Sequence, residues 1–495
     1  MTEARRAPAA AGFLDRLAAR DVTIGVIGLG YTGLPLALAS ARAGFRTLGH
    51  DTNPELCDHL NRGISHIGDV GDGLLRAMRS AGRFSASPEG LSPAPDVVFL
   101  CVPTPFDQMP DLTYVRAAAR AVAQMLRPGM VIVAQSTSYP GTTTEVIQPL
   151  LEESGLRAGP DFALAFSPER IDPGNGTWNI NTTPRLIGGV TQECTRLAGA
   201  ALGAILGDAG LVRPVRSPAV AEFAKLLENS YRLVNIGLVN ELTMVAHEMG
   251  IDIEEVIRAA ATKPYGFQAF YPGVGPGGAC IPEDPLYLAW KARTLDIDTR
   301  LIHLAAEANQ GMARYVFTRI LEMMSRRGGG LGGCRVLCIG AGYKPDVADT
   351  RHSRALHVMQ LLAAAGARVE YADRLIPAVE IAGREYKSVT LDVASPADYG
   401  FVAVLVSRRG LDLDRFITAG VPVFDAAHAL TRHAEGTVER LLARWANTPR
   451  GGSHRYFHDP EAFSAIMTDR ASGSRTAGLG GGRPRAVSCR RRLGR

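Results

Sequence analysis

One stretch gathers a reactive group with residues of special backbone freedom: Gly275-Pro276-Gly277-Gly278-Ala279-Cys280-Ile281-Pro282-Glu283-Asp284-Pro285. Glycines near a thiol let backbone and ligand approach closely, since no Cβ intervenes. A cysteine near a helix start has its thiolate stabilised by the positive end of the helix dipole, which lowers its pKa and makes it nucleophilic. The spacing predicts such a helix, with Asp284 as N-cap, Pro285 at the first position and Leu286, Leu288 and Ala289 behind. Two readings are open on these residues alone: a covalent cysteine enzyme, or an inert cysteine held in a turn.

A second set lies in residues 219–249, which lack proline, hold a single glycine and carry apolar residues at helical period. The pattern predicts one long helix. Lys225 and Asn229 are four apart and share a face, with Glu222 and Arg232 a step either way. Taken alone, Lys225 reads as a surface lysine beside Glu222 or Glu228. A helix this long and apolar must be buried on several sides, in part against a second subunit.

The elements that position these groups read as α/β. Residues 22–27 form an apolar, β-rich run that enters Gly28-Leu29-Gly30-Tyr31-Thr32-Gly33; a helix (34–43), a strand (45–49) and Asp51 follow. In this order the first glycine makes a tight turn, the second admits a pyrophosphate to the helix N-terminus, and the third lets helix pack on strand. Asp51 is placed for adenosine ribose hydroxyls, and Thr52 and Asn53 after it favour NAD over NADP. Later apolar runs end at Thr104 and Thr137, at the carboxyl ends of strands where ligands sit, although hydroxyl residues also favour turns. Glu169 and Arg170 follow another such run; Glu169 is a general-base candidate or a solvated loop acid. A second strand and glycine turn, at 335–342, lead to Tyr343-Lys344 and, further on, Asp349-Thr350-Arg351. There a lysine stands where the third glycine would be, which suits a phosphorylated ligand held by charge.

The chain has 495 residues and 46% hydrophobic residues, enough for two or three domains. Seven scattered cysteines suggest free thiols in a reducing cytoplasm, and Cys334 and Cys338 lack the second ligand pair of a zinc site. No metal site is expected. No run is long and apolar enough for a membrane span, and the Ala/Arg-rich start lacks the apolar core of a signal peptide. The net charge of +5 traces to seven arginines after residue 470, in a Gly/Ser/Arg-rich tail. No nucleic-acid module is expected in the folded part. The expected layout is an N-terminal arm (1–20), a Rossmann-like NAD domain (21–212), a central all-helical domain with the long helix (213–325), a second Rossmann-like domain (331–446) and a disordered basic tail (447–495).

These motifs, in this order over residues 21–430, resemble the UDP-glucose/GDP-mannose dehydrogenase family, and within it the UDP-N-acetylhexosamine branch: GLGYTGLP, CVPTPFD with PDLTYV, QSTSYPGTT, FSPER with DPGN, AEFAKLLENSYRLVN with NEL, GGACIPEDP and GAGYKPDVADTR. The resemblance implies oxidation of a sugar C6 alcohol to a carboxylate by two NAD at one site. It implies that Cys280 is the nucleophile, passing through a thiohemiacetal and a thioester. Lys225 with Asn229 would stabilise oxyanions. Asp284 and Thr137 would hold a water that takes the alcohol proton, and Glu169 would serve the hydrolytic water. Gly28, Leu29, Gly30, Tyr31, Gly33, Asp51, Thr104, Thr137 and Arg351 are implied as NAD contacts. Glu169, Arg170, Lys225, Asn229, Arg232, Tyr271, Gly277 and Lys344 are implied as nucleotide-sugar contacts, in a homodimer or larger homo-oligomer.

The chain departs from this pattern at Ala279, usually His, and at Glu283, usually apolar; DTRESP reads DTRHSR over Asp349–Arg354, and the late Arg-containing motif reads Phe424-Asp425-Ala426-Ala427-His428. Glu283 is expected to raise the thiol pKa or repel a phosphosugar, which points to an unusual sugar. Two rival functions are defined by the same residues: a two-electron dehydrogenase of the 6-phosphogluconate type, which needs neither Cys280 nor a third domain, and a nucleotide-sugar-binding protein without turnover.

Overall fold

The computed structural model describes residues 7–441, apart from 69, 176 and 431–436, with side chains from residue 12 onward. The expected basic tail lies outside the described residues. Runs of β-branched and apolar residues form β1 (Thr23–Ile27), β2 (Arg46–His50), β3 (Phe84–Ser87), β4 (Val97–Leu100), β5 (Val131–Ala134), β6 (Ala163–Phe166), β7 (Arg185–Gly189) and β8 (Val212–Pro214). They make one sheet in the order β8-β7-β6-β5-β4-β1-β2-β3. Neighbours are parallel except β6 with β7. Val97, Val98 and Phe99 are fully buried because helices cover both faces, as a parallel sheet requires.

The chain leaves β1 towards β2 on one side and returns to β4 on the other, so a crevice opens at the carboxyl ends of β1 and β4. The glycine turn sits at that crevice and leads into α1 (Gly33–Arg42). A Cβ on Gly33 would lie 1.8 Å from the Gly28 carbonyl oxygen, so only glycine lets α1 rest on the turn. Residues of the N-terminal arm form a helix, Ala7–Ala18, which buries Phe13 and Leu17 in the same core.

The long helix is α2 (Pro218–Met249). Ser217 caps it by accepting from the Val220 N–H, Pro218 starts it, and Gly250, at φ +72°, ends it. Its buried face carries Ala221, Glu222, Lys225, Asn229, Leu233 and Asn240. Asn240 donates to Asn309 of α4 (Arg300–Arg326) at 2.8 Å, and Asn309 donates to the Leu233 carbonyl at 2.9 Å. Between them in sequence comes α3 (Cys280–Arg293), which packs on both helices. The opposite face of α2 is a stripe of exposed apolar residues, Phe223, Leu227, Tyr231, Leu238, Leu242 and Val245. Among the described residues this stripe is met only near Tyr231, where Phe270 packs edge-on and Gln268 accepts from the tyrosine hydroxyl.

The second sheet is formed by β9 (Arg335–Ile339), β10 (Arg368–Ala372), β11 (Phe401–Val404), β12 (Val423–Asp425) and β13 (Val438–Arg440), all parallel, in the order β10-β9-β11-β12-β13. The fold is α/β with two doubly wound sheets and a helical layer carrying α2, as expected. Among the described residues no helix is long and apolar enough to cross a membrane.

Candidate active site

The cysteine loop departs from its expected local structure. The helix begins at Cys280 itself, with Ala279 before it, so Asp284 is not an N-cap and Pro285 lies inside the helix. A proline in the first turns is tolerated because the first four N–H groups have no partner within the helix; Pro282 costs nothing and Pro285 forfeits a single bond. The consequence is geometric. Asp284, one turn on from Cys280, is carried inward and is 5% exposed. It accepts a hydrogen bond from Asn229 Nδ2 of α2. Gly278, at φ +77°, lets the loop press on Tyr343, whose ring a Cβ there would meet at 2.8 Å.

Lys225 sits one turn before Asn229 and is 8% exposed, which excludes the surface reading. Its charge pulls down the pKa values of both Cys280 and Asp284. Burial wins in both cases. Asp284 is pushed up to about 6, against Lys225 and the Asn229 hydrogen bond. Cys280 opens onto the cleft, yet the protein packed around it pushes its thiol up to about 11; Asp284 adds to this, and Lys225 and Arg351 oppose it. The expected lowering by the helix N-terminus is thus outweighed by desolvation and by a neighbouring carboxylate. Glu283 turns away from the cleft: its carboxylate lies 2.5 Å from His352 Nε2. It meets the C-terminal sheet's loops, so it is not placed to repel a ligand in the cleft.

A cleft of about 720 Å³ opens between the two sheets. Cys280, Lys225, Asn229, Thr137, Glu169, Arg170, Arg232, Gly277, Lys344, Arg351 and Tyr31 all line it. Glu169 is held by Arg185 Nη2 at 2.9 Å and by the N–H groups of Arg170 and Ile171. Arg170 donates to Glu228 and to the Pro184 carbonyl, so its guanidinium braces α2 against the β6–β7 loop. Lys344 reaches across the cleft to Asp172 Oδ1 at 2.5 Å and to the Pro173 carbonyl at 2.9 Å. Arg351 pairs with Asp349 and lies over the Tyr31 ring, 4.8 Å from its centroid.

The nicotinamide-dinucleotide end fits its residues. A Cβ on Gly30 meets nothing within 4 Å, so that turn faces open space, as a pyrophosphate needs. Asp51 accepts from the Leu29 N–H at 3.0 Å and from the Asn53 N–H at 3.0 Å, and stays partly exposed at the end of β2. The Leu29 side chain is fully buried. Asp373 repeats the Asp51 contact in the second sheet, accepting from the Ala341 N–H at 2.9 Å. There, however, Arg408 ion-pairs with Asp373, and both are buried. That seal leaves no acid for a second ribose, so the two crevices are unlike in chemistry despite their shared form.

Gly28, Leu29, Gly30, Gly33, Asp51, Asp284, Thr104 and Tyr271 fall outside the cleft lining. Thr104 gives its hydroxyl to the Thr137 carbonyl at 2.6 Å and its carbonyl to Tyr287, tying strand ends together. Tyr271 is 52% exposed, on the segment whose neighbour Phe270 packs edge-on against Tyr231 of the apolar stripe. Sequence reasoning missed Asp172, Tyr343 and Glu228. Asp172 stood only within the DPGN motif, and its partner lies 172 positions away. Among the described residues no group of three or more His, Cys, Asp or Glu is arranged to hold a metal ion.

Comparison with known proteins agrees with this division of labour. Residues 22–203 match the NAD binding domain of the UDP-glucose/GDP-mannose dehydrogenase family, residues 219–311 its central domain, and residues 337–430 its UDP binding domain. The chain is 34% identical over 393 residues to a UDP-N-acetyl-D-glucosamine 6-dehydrogenase of Pseudomonas aeruginosa, covering 79% of this chain and 91% of that one. It is 33% identical to a UDP-N-acetyl-D-mannosamine dehydrogenase of Pyrococcus horikoshii, covering 68% and 80%. Among solved structures, the UDP-D-ManNAc dehydrogenase of Pyrococcus horikoshii superposes with a TM-score of 0.75 at 28% identity, over 85% of this chain and 99% of that one. A UDP-glucose dehydrogenase of Pyrobaculum islandicum gives 0.73 at 29%, over 86% and 98%.

Proposed function

From the membership of this chain in the UDP-glucose/GDP-mannose dehydrogenase family, which makes it an NAD-dependent oxidoreductase, we propose that it oxidises the C6 hydroxyl of a UDP-N-acetylhexosamine to the carboxylate in two steps. The observation that carries the reading is the convergence of Cys280, Lys225, Asn229 and Glu169 on one cleft, with Asp284 directly behind. The names of the relatives support the acetylated sugar.

Bound NAD supplies the hydride acceptor for each oxidation. Asp284, with a pKa near 6, is ionised at neutral pH; with Thr137 it holds the water that takes the alcohol proton. Lys225 and Asn229, both largely buried, stabilise negative charge on the C6 oxygen. The Cys280 thiol adds to the aldehyde, a carbon–sulfur bond forms, and the thiol proton passes to the Asp284 side. The second oxidation turns this thiohemiacetal into a thioester. Glu169, fixed by Arg185 and two backbone N–H groups, positions the water that releases the acid and regenerates the thiol. Lys344 and Arg232 supply positive charge for the diphosphate. The exposed apolar stripe of α2, met at Tyr231 by Phe270 next to the exposed Tyr271, is the face on which a second copy packs.

Assay against a panel of UDP- and GDP-sugars tests the reading. Two NADH per acid are expected, and Cys280→Ser should stall the oxidation or accumulate a covalent sugar adduct by mass. One NADH per product, or a serine variant that turns over like the parent, overturns it. Calorimetric binding of UDP-sugars with no NADH would establish the non-catalytic rival.

A further inference from the structure

The two departures at Glu283 and His352 meet each other in space. Glu283 lies on the first turn of α3, three residues after the cysteine, and its side chain is 17% exposed; His352, on the loop after β9, is 50% exposed. Their 2.5 Å contact joins the cysteine helix to the C-terminal sheet's loops. It is one of several contacts there. The Gly278 N–H donates to the Arg351 carbonyl at 2.9 Å. A Cβ on Gly277 would lie 2.7 Å from the His352 carbonyl oxygen, so backbone rests on backbone at that point. His352 itself holds a left-handed backbone, at φ +50°, a region in which histidine, asparagine and aspartate are enriched among non-glycine residues.

We propose that Glu283 and His352 form a clasp that holds the first turn of the Cys280 helix against the C-terminal domain and so sets where the sulfur stands relative to the bound sugar. Both are positioning residues, and neither touches the reacting atoms. The proposal rests on the function above and adds to it. Three charged or titratable groups surround the pair: burial raises the Glu283 pKa, opposed by His352 and then by Arg351 on the histidine's loop, and Asp284 and Tyr287 lie on the glutamate's helix. Arg351 is engaged by Asp349, which leaves His352 as the partner in contact. The physical reason for such a clasp is the tolerance of covalent addition. Sulfur must stand roughly 3–3.5 Å from the aldehyde carbon, and displacements of about 1 Å cost on the order of a hundredfold in rate.

The test uses Glu283→Gln, His352→Asn and the charge-exchanged pair Glu283→Arg with His352→Asp. Asn and Asp tolerate the left-handed backbone at 352, so loss of fold does not confuse the result. Each single variant should lower kcat about three- to tenfold, with KM for NAD unchanged, as expected of a partly exposed charged contact. In ligand-free protein, amide exchange over residues 277–284 and alkylation of Cys280 should both accelerate. The exchanged pair should recover most of the loss in kcat and protection. Unchanged exchange and alkylation in the single variants, or an exchanged pair no better than the singles, overturns the clasp. The exchange and alkylation readouts need no substrate. If no nucleotide sugar is oxidised by the parent, the functional reading fails while these readouts still decide the clasp.

Discussion

Lys344 and Asp172 close the cleft from opposite sides, with Nζ 2.5 Å from Oδ1. The lysine suited to a phosphate is thus already held by a carboxylate, and Lys344 in turn holds the Asp172 pKa below its ordinary value, against burial. A diphosphate must compete for Lys344. Lys344→Met should therefore raise KM for the nucleotide sugar roughly tenfold or more, whereas Asp172→Asn should lower it or leave it unchanged. Steady-state NADH formation checks both; a KM raised in the Asn variant contradicts the competition.

The pH dependence follows from Asp284. Its pKa is raised from 3.8 to about 6 by burial, so the ionised form needed for proton uptake appears only above that value. The rate kcat/KM should rise with pH through about 6. Lys225→Met removes the charge that opposes this shift, so the limb should move to higher pH, together with a fall in kcat of roughly a hundredfold. A limb that stays in place would show that another group controls it.

The same pKa carries a stability consequence. A carboxyl whose folded pKa lies above its unfolded value binds its proton more tightly when folded, so stability falls as pH rises through about 6. Asp284→Asn removes that loss. It should raise Tm at pH 8 relative to pH 5 compared with the parent, while activity falls by a hundredfold or more. Thermal denaturation at the two pH values decides it.

Thiol reactivity should run opposite to a helix-activated cysteine. With the Cys280 pKa near 11, alkylation of the ligand-free enzyme should be slow at pH 7.5 and climb steadily to pH 10. Asp284→Asn removes a negative charge that raises this pKa, and should speed alkylation several-fold. Rapid alkylation of the parent at neutral pH would place the thiolate lower than burial allows.

The apolar stripe predicts assembly. Leu227→Glu with Leu242→Glu places charges where Leu227 and Leu242 are exposed in one chain. If a second copy packs there, sedimentation should show a smaller particle than the parent, with reduced thermal stability. Identical sedimentation of both would rule out this face.

Much of the fold was legible because its signals are local. The strand, glycine turn, helix and acid of the first sheet follow each other within thirty residues, and each requirement is set by neighbouring backbone. The extent of α2 was readable from period alone, with Ser217, Pro218 and Gly250 marking its ends. The start of α3 was misread because Asp-Pro is a strong local signal for a helix start. It lost to the packing of Asp284 against Asn229, a contact spanning 55 positions.

The order of residues determined by itself which chemistry is at hand: a thiol among glycines, a lysine and an amide on one helix face, and a turn shaped for a dinucleotide. Only the tertiary structure decided how those groups behave. Burial reversed the expected direction of the Cys280 pKa, Arg408 sealed Asp373 so that one of two similar crevices lost its ribose acid, and His352 took Glu283 out of the cleft. Each outcome depends on solvent exclusion and on charges far apart along the chain, and neither quantity is encoded in local spacing.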